Sequence, residues 1–121
     1  MTHLSQPQRE ALIELLCLAI ATNHCDSPAQ EVAMHRALQK TGWGDAAKPQ
    51  AFFLAKALNE AREIVDDENC AVAFIATRAA HFESAEDRRT ALDLLMLVLE
   101  IDGMDEQEDT FLARVQAAFD A

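Results

Sequence analysis

The side chains best placed to do chemistry are the carboxylates of the stretch Ile101-Asp-Gly-Met-Asp-Glu-Gln-Glu-Asp109. Asp102, Asp105 and Glu108 recur at intervals of three, where an apolar helical pattern stops at Asp-Gly and an acidic, capped pattern starts. Several carboxylate oxygens gathered in one turn suit a hard divalent cation. A looser version of the same layout runs from Thr22 to Glu31, with His24, Asp26 and Glu31 as its ligand-capable residues. A cation shared by both turns would therefore draw on Asp102, Asp105 and Glu108 with Glu31, Asp26 or His24. The identity of such an ion is open. The same residues also have an ordinary structural use. Ser27 and Asp105 are good helix N-caps, worth about 1 kcal/mol each, and Glu106, Glu108 and Asp109 favour the positive end of a helix dipole.

Other residue sets carry less. Asp102, Asp105 and Glu108 do not follow the alternating ligand spacing of an EF-hand. His24, Cys25 and His35 offer zinc-binding atoms, but their spacing fits no standard zinc frame. No nucleophile-elbow peptide occurs, and no residue set supports an enzyme, so the chain is expected to be non-catalytic.

The elements that must position these turns are a repeat. Residues 9–23 recur 79 positions later in 88–102: Arg9 matches Arg88, Glu14 matches Asp93, Leu15 and Leu16 match Leu94 and Leu95, and Leu18 matches Leu97. Each copy is followed by a polar turn and a second capped helix, offset by 78 because the later turn is one residue shorter. The recurrence of Arg9 and Arg88 with Glu14 and Asp93 suggests salt bridges between the repeats.

Apolar residues recur at three- and four-residue spacing almost throughout, which predicts six helices and no strands. The first spans about 6–21 behind a Ser5/Gln8 capping box. It carries two apolar stripes side by side, so it should be covered on more than one side. The second spans about 28–41 and ends at Gly42, and Gly42 to Pro49 forms the main linker, with Trp43 in it. The third spans about 49–65. The fourth is capped by Asp66 or Asp67 and buries Ala71, Phe74, Ile75 and Ala79. Ser84 caps the fifth, about 85–101, and the sixth follows Asp105 with Phe111, Leu112, Val115 and Phe119 on its apolar face. Short turns between helices favour a compact all-α bundle built on two pseudo-symmetric helical hairpins.

With this duplicated hairpin the chain resembles the tellurite-resistance TerB family and its TerB-like relatives, over about residues 4–119. The resemblance implies an all-helical bundle, a divalent-metal site made by the acidic turns, a link to stress or tellurite resistance, and no catalytic activity. By position, Asp102, Gly103 and Glu108 match the family's turn aspartate, glycine and following glutamate. The first hairpin departs from the pattern, with Asn23 and His24 at Asp-Gly and Gln30 at the glutamate. The alternative function is an adaptor that binds a protein partner without metal.

Composition narrows the rest. A chain of 121 residues is expected to form a single domain, 1–121. Its 21 acidic residues outnumber 10 basic ones, and a net charge of −11 disfavours nucleic acid and anionic membranes as partners. No signal peptide or bilayer-length apolar run is evident, which points to the cytoplasm. Cys17, Cys25 and Cys70 form no CxxC pair, and Cys17 and Cys70, lying in apolar helical stretches, are expected in the core. Oligomeric state is not readable at this level.

Overall fold

A computed structural model describes residues 5–23, Val32, Arg36, 50–100 and 106–120. These residues form an all-α structure of α1 (Gln6–Asn23), α2 (Gln50–Ile64), α3 (Glu68–Ala79), α4 (Ala85–Leu99) and α5 (Glu106–Asp120). The helix expected over 28–41 lies outside the described residues except for Val32 and Arg36, both helical. The Gly42 to Pro49 linker and Trp43 lie outside them as well. Among the described residues no helix is long and apolar enough to cross a membrane.

The helix starts follow the local chemistry. At α1 the Ser5 amide donates to Gln8 Oε1 at 2.9 Å and the Gln8 amide donates to Ser5 Oγ at 3.4 Å, a reciprocal capping box. Asp67 caps α3, its carboxylate accepting from the Cys70 amide at 3.1 Å. Ser84 caps α4, its hydroxyl accepting from the Asp87 amide at 3.1 Å. The 79-residue offset extends back to these caps, since Ser5 aligns with Ser84 and Gln8 with Asp87. The two aligned residues touch: Gln8 Nε2 donates to Asp87 Oδ2 at 3.0 Å, so the starts of the two repeated helices lie side by side.

α1 is the centre. It packs against each of the other four described helices, and from Ala11 to Ala21 every residue but Glu14 is buried. Its two apolar stripes, Leu12, Leu15, Leu16 and Ala19 beside Ile13, Cys17 and Ile20, are both covered. Each fully buried Leu or Ile contributes about 1.5–3 kcal/mol of transfer free energy. The outer helices bury single stripes against it: Ala57 and Ala61 from α2, Ala71, Phe74, Ile75 and Ala79 from α3, and Phe111, Val115 and Phe119 from α5. α4 packs chiefly on α1 and α5 and buries Ala91, Leu94, Leu95, Val98 and Leu99.

Two expectations need correction. Cys17 is buried, but Cys70 is exposed, because it precedes the buried stripe of α3 and sits in the first turn, opened to solvent by the Asp67 cap. The ion pair of Glu14 is not with the repeat's arginine. Arg78 Nε donates to Glu14 Oε2 at 2.6 Å, whereas Arg88 Nε donates to the Phe82 carbonyl at 2.8 Å. The repeat also hides a difference in surroundings: of the aligned pair Leu18 and Leu97, the first is buried and the second exposed.

The α3–α4 connection is a structural element in its own right. Phe82, outside any helix, is fully buried, and its ring meets Phe119 edge-on with centroids 5.8 Å apart. The backbone around it is tied by Gln8 Nε2 to the His81 carbonyl at 3.0 Å and by Arg88 to the Phe82 carbonyl. The first turn of α1, that of α4 and the last helix are thereby joined at one corner.

Candidate functional site

Of the six residues proposed as metal ligands, Asp102, Asp105, Glu31, Asp26 and His24 lie outside the described residues. Glu108 belongs to the first turn of α5. Among the described residues no group of three or more His, Cys, Asp or Glu side chains is arranged to hold a metal ion.

What the described residues do form beside that turn is a cleft of about 310 Å³ between α1, α3 and α5. Leu18, Ala71, Ile75 and Phe111 supply apolar walls, and Glu106, Thr110 and Arg114 supply the polar part of the lining. The cleft exists because two small residues interrupt larger ones: Ala71 heads the α3 stripe, and Thr110 stands beside Phe111 on α5. The Thr110 hydroxyl donates to the Glu106 carbonyl at 2.9 Å, so its methyl group is left as the contact surface. Arg114 is held across the gap by Glu68, its Nη2 donating to Oε1 at 3.0 Å, which ties α5 to the start of α3. An exposed pair of this kind adds about 0–1 kcal/mol. Its greater effect is to fix the arginine at the edge of the cleft. Among the described residues the lining holds no nucleophile with an adjacent base. It can receive an apolar side chain and meet a charged group at the edge.

A second charged cluster is a clamp rather than a site. Arg78 on α3 donates to Glu14 of α1, to Glu60 of α2 at 3.2 Å and to its neighbour Thr77 at 2.8 Å. Its guanidinium carbon also lies 3.8 Å from the centroid of the Phe74 ring. One side chain thus joins three helices, with two carboxylates and an aromatic face engaged.

At the start of α3 the amide of Cys70 holds the Asp67 carboxyl below its usual range. The Asp67 carboxylate in turn raises the Cys70 thiol through its hydrogen bond and its charge, so this exposed cysteine is kept in the less nucleophilic form.

A groove of about 410 Å³ runs between α4 and α5 on the opposite side of α5 from the cleft, and includes Arg89, Leu92, Met96, Leu112 and Phe119 in its lining. Sequence reasoning found neither hollow. The only signals for the cleft were the small residues Ala71 and Thr110, and small residues on a helix face are common. Comparison with models of protein families, with curated proteins and with solved structures finds no match.

Proposed function

We propose that this chain is a non-catalytic, TerB-like binding module whose six helices form two pseudo-symmetric hairpins, and that it binds a protein partner at the cleft between α1, α3 and α5. The observation that carries this reading is the open cleft itself, with Leu18, Ala71, Ile75 and Phe111 in its walls and Glu106 and Arg114 in its polar lining. Concave apolar sites with a few polar groups are the usual form of a recognition pocket. A net charge of −11 favours a basic partner, one that inserts an apolar side chain and sets positive groups against the surrounding acids. Tellurite or stress resistance is the setting this proposal carries over from the family resemblance.

The test uses a basic amphipathic helical peptide with Leu anchors, titrated into isotopically labelled protein. Chemical-shift changes should centre on Ala71, Thr110 and Arg114 and should vanish with a Leu→Ala peptide or with Thr110→Trp, which fills the cleft from a solvent-exposed position. Peptide at millimolar concentration that moves none of these signals removes the partner reading.

A divalent cation in the acidic turns is the second reading. Its support is the carboxylate spacing of Asp102, Asp105 and Glu108 in the sequence, together with the family resemblance. A ligand that binds only the native state raises its melting temperature. Melts in chelator, Mg²⁺, Ca²⁺, Mn²⁺ and Zn²⁺ should differ for the natural chain and coincide for Asp102→Asn with Glu108→Gln. Identical melts of the natural chain in chelator and in metal would eliminate the ion.

A further inference from the structure

The outer face of α4 is apolar beyond what its packing uses. Met96 and Leu97 are 40% and 43% exposed, and Leu92 is only partly buried. The positions of α1 aligned with these three, Cys17, Leu18 and Ile13, are all buried beneath neighbouring helices. α4 therefore carries the second stripe of a helix covered on two sides, while the described helices cover one.

The charges on that face name its occupant. Helical spacing sets Arg89, Asp93, Met96 and Glu100 along one exposed line, with Leu92 and Leu97 on its two flanks. The line starts basic and ends acidic. Two such lines laid antiparallel about a twofold axis bring each Arg89 to the other copy's Glu100, with Leu92 beside its own copy on one flank and Leu97 beside its own copy on the other. Each Met96 then lies beside the axis, against its own copy. A parallel arrangement would set Arg89 on Arg89 and Glu100 on Glu100. Self-complementarity under a twofold is the requirement of an isologous contact.

We infer that the exposed face of α4 is a homodimer contact in which a second copy of this chain packs antiparallel, held by reciprocal Arg89–Glu100 pairs around Met96. One helix face is small beside the roughly 1,600 Å² of a standard stable interface. The dimer is accordingly weak, with dissociation on the order of 10–100 μM. Asp93 lies beside the axis and opposes its own copy there, countered by Arg89 one turn earlier. Replacing it with Leu should tighten the dimer.

The experiment is sedimentation velocity across this concentration range at about 0.15 M salt, where the Debye length is about 8 Å and the long-range repulsion of two acidic chains is screened. The natural chain should shift from monomer to dimer with concentration. Arg89→Glu and Glu100→Arg should each weaken association about tenfold or more. The double reversal, Arg89→Glu with Glu100→Arg, keeps the net charge and re-forms the pairs with opposite sign, so it should restore association. All four proteins should keep the same melting temperature in dilute solution, because the altered residues are exposed. A natural chain that stays monomeric at about ten times the expected dissociation constant, or a double reversal as weak as either single one, overturns the inference.

Discussion

α1 and α4 are written in nearly the same apolar pattern and live in different surroundings. The stripe Leu12, Leu15, Leu16, Ala19 and Ile20 aligns with Ala91, Leu94, Leu95, Val98 and Leu99, and both sets are buried. The flanking positions Ile13, Cys17 and Leu18 are buried in α1, whereas their counterparts in α4 are open, Leu92 partly buried and Met96 and Leu97 facing out. The difference is one of neighbours: four described helices surround α1, and α4 rests chiefly on two. Periodicity measures how much apolar surface a helix offers. How many elements arrive to cover it depends on the rest of the chain.

The largest expected effect sharpens this contrast at one aligned pair. Cys17→Arg should abolish cooperative folding, since an unpaired buried charge costs several kcal/mol. Met96→Arg, 79 residues later on a half-open face, should change stability by about 0.5 kcal/mol or less. Thermal melts followed by circular dichroism measure both, and equal destabilisation would erase the distinction between the two helices.

The next pair is Glu14 and Asp93, aligned acids of which the first is clamped by Arg78 and the second is exposed. Glu14→Gln should cost about 1–2 kcal/mol in urea unfolding, because a half-buried charge-assisted bond is lost. Asp93→Asn should lie within about 0.5 kcal/mol of the natural chain. Equal losses would mean that Arg78 is satisfied by Glu60 alone.

The smallest effect contrasts the start of α4, capped by Ser84, with that of α3, capped by Asp67. Only the second titrates. The Asp67 carboxyl is held below its usual range, so its contribution is fully present above the ordinary carboxylate pKa and is lost as pH falls through the lowered value. Asp67→Asn keeps a capping oxygen but removes the charge that raises the Cys70 thiol. In a Cys25→Ser background, with Cys17 buried, alkylation of Cys70 at mildly alkaline pH should then speed up several-fold. An unchanged rate would show that the cap's charge does not govern the thiol.

The parts of the fold that were legible from sequence are those set by near neighbours. The Ser5/Gln8 box, the Asp67 and Ser84 caps and the buried faces of α3 and α5 all follow from residues within one or two turns of one another. The parts that escaped depend on distant segments. Glu14 finds Arg78 across 64 residues, and no helical spacing announces that. Phe82 is buried because the corner between α3 and α4 folds onto α5, although its own surroundings in the chain are polar. Cys70 looked apolar by context, yet helix phase and the nearby cap leave it outside. The cleft was hidden for the same reason, since its walls come from three helices.

The buried ring of Phe82 has a consequence for how the molecule breathes. A short connection normally lets one helix detach while the rest stays intact, and amide exchange then reports a separate, less protected unit. Here α4 cannot swing away without withdrawing Phe82 from the core and parting it from Phe119 of α5. The outer copy of the repeat, although covered on only one side, is therefore bolted to the last helix through its own leading corner. The two should open together, as one foldon, and the weakest-covered helix should exchange no faster than the helix to which it is pinned.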